Sequence, residues 1–189
     1  MKVIEQEIHS LKNSISEMWA LVHQQLYNAG EAMLTGDKEL AYKVISRERR
    51  VNAFELKIDS DCEDIIALYA PVAIDLRFVL AMYKINTNLE RLGDFAESIA
   101  RFAGNLPEGE PIDPQLVKET RVEEMLSELL SMISLTKEAF EKESSEIASR
   151  IFLKDNLIDE INHNSTAIIA KYIEAVSYTH LTLPTNSRV

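Results

Sequence analysis

The sequence predicts an all-α chain built as two helical bundles, the first of three helices and the second begun by two. Three observations carry this. Apolar residues recur at steps of three and four along most of the 189 residues. Gly and Pro number only five each, too few for the tight turns of an all-β sandwich or barrel. The strongest breakers, Gly36, Pro71 and the stretch PEGEPIDP at 107–114, fall between long periodic runs.

The first run passes through Ile4, Ile8, Leu11, Ile15, Met18, Val22 and Leu26 and continues to about Leu34, with Trp19 expected in the core or at a bundle interface. Gly36 supplies its stop, and Asp37 can cap the helix that follows. That second run carries Val44, Val51, Phe54, Ile58, Cys62, Ile65 and Tyr69 before Pro71 breaks it. The third begins near Ile74 and passes through Val79, Met82, Ile85, Leu89, Leu92, Ala96, Ile99 and Phe102. Residues 107–114 read as a linker between domains, 1–106 and 115–176. Beyond it, Val122, Met125, Leu129, Met132 and Phe140 mark a fourth helix. Ser144 or Ser145 opens a fifth with Ile147, Ile151, Ile158, Ile161, Ile168 and Tyr172. Long helices joined by short turns pack antiparallel as bundles. From Ser177 to Val189 the helical period is lost, and the stretch reads as a foreign tail joined to a shortened chain.

Composition narrows the function classes. Hydrophobic residues make up 46% and charged residues 27%, ordinary for a folded globular chain. Acids exceed bases, 31 to 20, for a formal charge of −11, which disfavours broad nucleic-acid or anionic-membrane binding. Cys62 is the only cysteine and reads as a small buried hydrophobe. Met1 is followed by a polar amphipathic stretch rather than a signal peptide, and no apolar run is long enough to span a bilayer. A cytoplasmic protein is expected. The chain carries no Gly-rich phosphate loop, nucleophile elbow or Cys/His zinc pattern, so nothing in it proposes an enzyme.

One pattern carries possible chemistry. Glu48, Asn52, Glu55 and Asp59 form a polar stripe beside the apolar one of the second helix. Glu90 and Asp94 stand one turn apart in the third helix, with Gly93 between them. Asp155 and Asp159 repeat that spacing, 107 residues beyond Glu48 and Asn52, which points to an internal duplication. Like charges one turn apart repel, and pairs facing each other across a bundle repel more unless a cation sits between them. Spacing alone leaves two readings open, a metal site and ordinary solvated faces.

The residues around that pattern are specific. The run PVAIDLRFVLAMYKINTNLERLGDFAESIA, Pro71 to Ala100, closely resembles the signature of the PhoU family, accessory proteins of bacterial phosphate transport and signalling. RVNAFELKIDSDCEDII upstream is similar to the family's second helix, and KDNLIDEIN to its counterpart in the second repeat. The resemblance covers about Met1 to Val176 and implies tandem three-helix bundles, the second here lacking its last helix. By the same offset, the second copy of the Glu90-Arg91-x-Gly93-Asp94 box would fall at about 197–201, past the end of this chain. The open faces of the fourth and fifth helices would then favour self-association.

The resemblance implies a multinuclear iron or zinc cluster at Glu90 and Asp94, and at Asp155 and Asp159 in the second repeat. Glu48 carries less weight because its partner, Asn52, is not acidic. It also implies a non-enzymatic, often homodimeric regulator. Such a protein represses phosphate-starvation signalling and restrains phosphate uptake through the phosphate ABC transporter and its sensor histidine kinase. Arg77 and Arg91 could contact an anion, but an internal ion pair or hydrogen-bond role is expected for both, and Asp75 is expected to cap a helix or pair with Arg77. The alternative from another class is a ferritin-like, carboxylate-bridged metal bundle. It needs two Glu-x-x-His motifs, and only Glu160–His163 is present.

Overall fold

The computed structural model describes residues 3–107 and 112–181, with side chains as far as Glu174. Those residues are helical, in the order α1 (Val3–Thr35), α2 (Lys38–Tyr69), α3 (Ile74–Asn105), α4 (Pro114–Thr120), α5 (Val122–Glu141) and α6 (Ser145–Leu181). They divide into two compact units, Met1–Pro111 and Ile112–Val189. No described helix is long and apolar enough to cross a membrane.

Unit one is an up-down-up bundle of α1, α2 and α3, each packed against the other two. Its joints follow from local chemistry. Gly36 takes φ 71°, where a Cβ would be strained, and so ends α1. Asp37 then caps α2 by accepting a hydrogen bond from the Leu40 amide at 2.9 Å. At the far end Ala70 caps α2 at φ 44°, Pro71 prevents continuation, and α3 starts after Ala73 at φ 49°. The core is the stripe read from the sequence: Leu11, Ile15, Met18 and Val22 from α1, Val44, Val51 and Ile58 from α2, and Val79, Met82 and Leu89 from α3. Burying each such side chain contributes about 1.5–3 kcal/mol. Trp19 is buried among them.

Small residues set how closely α3 approaches its neighbours. Gly93, Ala96, Ala100 and Ala103 are all buried along one side of α3. A methyl group added at Gly93 would stand 2.9 Å from Val51 Cγ1, inside van der Waals contact. Val51 cannot easily turn away, because a β-branched side chain has one strongly preferred rotamer in a helix. Gly93 and Val51 therefore mark a point of close approach between α2 and α3. Cys62, also buried, has its thiol pushed up to about 12, by burial first and then by the charges of Asp59, Asp61 and Glu63.

Unit two differs from the sequence reading in two places. A short helix, α4, precedes the expected fourth one. Asp113 caps it by accepting from the Gln115 amide at 2.8 Å, Pro114 occupies its first turn, and Arg121 at φ 53° separates it from α5. The end of the expected 107–114 linker is thus a cap and helix start, while 108–111 lie outside the described residues. The second correction is at Ser177, where the period was expected to stop: α6 runs on to Leu181. No Gly or Pro lies between Ser145 and Leu181, so nothing local terminates the helix. Residues 182–189 of the expected tail lie outside the described residues. Among those described, only Thr120, Ala139 and Ile161 are buried in this unit, while Phe152 and Leu153 are each 76% exposed. Lys154–Glu128 at 2.5 Å and Arg121–Glu160 at 3.1 Å tie its helices together.

Two outcomes test the packing of unit one. Gly93→Ala gains about 1 kcal/mol of helix propensity but overpacks against Val51 at about 1–3 kcal/mol, so a net loss of about 1 kcal/mol is expected in urea unfolding. In a Val51→Ala background the same change should become neutral or stabilising, and additive effects would deny the contact. Cys62 should react with a thiol reagent only as fast as unit one opens, and rapid labelling of the native chain would contradict its burial.

Candidate functional site

The polar stripe of α2 and the acidic pair of α3 face each other. Asn86 fixes the register. It lies in α3 where the apolar stripe Val79–Met82–Leu89 has a polar member, and it is fully buried. Its Nδ2 donates to the Glu55 carbonyl at 2.9 Å and to Asp59 Oδ1 at 2.7 Å. One and two turns further along α3 come Glu90 and Asp94, next to the close approach at Gly93. The result is a seam with Glu48, Asn52, Glu55 and Asp59 on one side and Asn86, Glu90 and Asp94 on the other.

The seam is electrostatically costly as it stands. Partial burial pushes the Glu90 carboxyl above the usual carboxylate range, and the charges of Asp94, Glu55 and Glu48 add to the rise, as does a hydrogen bond with Asp94. No ion pair among the described residues engages Glu48, Glu55, Glu90 or Asp94. Asn86 Oδ1 is buried without a hydrogen-bond partner.

These observations bear on whether a metal would fit. The donors are hard oxygens, which suit hard cations, and a buried orphan oxygen with repelling carboxylates is what a cation relieves. The side chains as placed do not form a shell, however. No group of three or more His, Cys, Asp or Glu among the described residues is gathered closely enough to hold an ion. The chemistry fits a hard cation, and the seam would have to tighten around it.

The other residues singled out by sequence lie apart. Asp155 and Asp159 are exposed on α6 and join no such group. Asp75 is not a cap: α3 has no side-chain cap, Ala73 holds that position, and Asp75 sits inside the first turn, where its charge suits the helix dipole. Arg77 and Arg91 are exposed and form none of the expected ion pairs among the described residues. Asp75 and Arg77 are two residues apart and point to different sides of the helix. Glu160 and His163 are both exposed, and Glu160 is engaged by Arg121. Four seam residues were not assigned a site role from sequence: Asn52, Glu55 and Asp59, seen only as a stripe, and Asn86, whose signal was a polar residue in an apolar register.

Comparison with known proteins places this seam in a family. The PhoU domain model matches residues 15–103, which include the whole of it. The PhoU homolog of Aquifex aeolicus (strain VF5), a phosphate-specific transport system accessory protein, is 33% identical over 169 residues, covering 88% of this chain and 74% of the relative. The chain belongs to the PhoU family. Its Escherichia coli (strain K12) relative is 34% identical over 154 residues, covering 82% of this chain and 62% of that protein. Crystal structures agree: PhoU from Pseudomonas aeruginosa superposes with a TM-score of 0.83 at 27% identity, over 90% of this chain and 80% of that one. The phosphate transport system regulatory protein PhoU from Streptococcus pneumoniae gives 0.77 at 30% identity, over 88% and 77%. The tandem-bundle fold expected from the motif is therefore the fold of this PhoU-family chain.

Replacing Glu90 by Gln tests the repulsion. A raised folded pKa means that the folded chain holds this proton more tightly than the unfolded one. That stability is present below the ordinary Glu range and is lost as pH rises through the folded value. Glu90→Gln should therefore match the parent near pH 4 and exceed it at pH 7 by a few tenths of a kcal/mol in urea unfolding. A loss of stability at pH 7 would mean that the Glu90 charge is compensated.

Proposed function

We propose that this chain is a non-enzymatic, cytoplasmic regulator of phosphate homeostasis. In this reading it represses phosphate-starvation signalling and restrains uptake through contacts with the phosphate ABC transporter and its sensor histidine kinase. The observation that carries the reading is family membership: the matched segment holds the complete Glu90-Arg91-x-Gly93-Asp94 box, and the relatives are named as accessory proteins of phosphate-specific transport. The all-helical bundles, with acids arranged along a seam, suit a protein that works by contact and changes partner affinity with state. Homodimerisation belongs to the same reading.

The seam's part is to bind a cation. Glu48, Glu90 and Asp94, with Glu55 beside them, would hold an iron or zinc, and a bound metal would neutralise acids that otherwise repel. Asp155 and Asp159 offer only two carboxylates, so the assignment stops at unit one. The ferritin-like alternative lacks support, because the sequence holds a single Glu-x-x-His motif where such a site needs two.

Deleting the gene in its host, grown in phosphate-rich medium, should switch a phosphate-starvation reporter on and raise cellular phosphate. The intact gene should restore silence. A reporter that stays silent in the deletion would sink the reading. For the seam, added iron(II) or zinc(II) should raise the melting temperature of the parent and not of a Glu90→Gln, Asp94→Asn double variant. Equal shifts in both chains would remove the cation from the seam.

A further inference from the structure

We propose that the outer crest of α3 is a docking surface for an acidic amphipathic helix of a partner protein. The crest is built from Arg77, Lys84 and Arg91, seven residues apart and all exposed. At 1.5 Å rise per residue they form a row with about 10.5 Å between successive charges. Among the described residues, the charged side chains of the three make no ion pair or hydrogen bond. Seven other described cations of this chain do otherwise: Lys43, Lys57, Arg101, Arg121, Lys137, Lys142 and Lys154 all pair with acids.

Apolar side chains stand along the same crest. Leu80 is 47% exposed, Phe95 56% and Phe102 52%. By helical angle all three lie within about 60° of the charged row, and no acid falls in that arc between residues 77 and 102. Glu90 and Asp94 sit about 60–140° round the helix from the row, on the side of the seam. Along this crest the acidic chain thus presents a narrow, positive, partly aromatic ridge.

Charge and shape select the occupant. A helix with a carboxylate at every seventh position repeats at the same interval as the row and can lay apolar residues against Phe95 and Phe102. Its acids would be screened from the seam beyond about 8 Å at physiological salt. An anionic bilayer fits less well, because a flat surface would also meet other acids of a chain whose net charge is −11. This inference stands on the crest alone and does not need the proposed regulatory role.

The test uses the 189-residue chain and a synthetic amphipathic helix with Glu at every seventh position and Leu between. Its controls are the same peptide with Gln for Glu, and phosphatidylserine vesicles. Titration calorimetry should show binding that weakens with added salt and falls at least tenfold in an Arg77→Glu, Arg91→Glu double variant. Arg77→Gln, Arg91→Gln serves as a second variant should charge reversal disturb the fold. Lys118→Glu, Lys171→Glu, two exposed cations of unit two, should change binding by less than twofold. No binding of the Glu peptide, equal binding of the Gln peptide, equal loss in the unit-two control, or binding of vesicles in preference to peptide would each overturn the proposal.

Discussion

Unit one depends on how near α3 can come to α2, and that distance is set where Gly93 meets Val51. With no side chain at Gly93, the two helices close until the Val51 methyl groups fill the space a Cβ would need. The closeness lets Asn86 reach both the Glu55 carbonyl and Asp59 across the gap. It also brings the charges of Glu48 and Glu55 to bear on Glu90. A packing constraint between two apolar atoms thereby creates an electrostatic one. The same missing methyl that tightens the core forces carboxylates toward each other.

That arrangement runs against what stability alone would select. Repelling acids, a raised carboxyl and an orphaned buried oxygen all cost free energy in the folded chain. Features of this kind gather at sites used for binding, because a ligand that relieves them gains affinity from doing so. Gln25 offers a parallel within the same bundle. It too is buried with one oxygen unpaired, and its amide donates to the Val44 carbonyl, which registers α1 against α2.

Much of the fold was legible because its signals are local. Gly36, Asp37 and Pro71 act through their own backbone chemistry, and the structure uses each as its residue type suggests. The short α4 escaped because its start lay in a stretch read as linker, though Asp113-Pro114 is a cap and first-turn pair. At the site, the spacing of Glu90 and Asp94 was visible, but their partners were not. Which residues of α2 face them depends on a register set by the Gly93 contact, and no rule of spacing within one helix reports on that. Arg77 and Asp75 do not pair for the converse reason: nearness in sequence does not place residues two apart on one face of a helix.

The contrast in burial between the units has a consequence for energetics. Unit one sinks a long apolar stripe from each of three helices, whereas unit two hides only Thr120, Ala139 and Ile161 among its described residues and leaves Phe152 and Leu153 in water. Cooperativity comes from shared burial, so the two parts will not open in a single all-or-none step. The chain then has no one free energy of unfolding. Amides in α5 and α6 will exchange with solvent through partial openings that leave the α2–α3 seam intact.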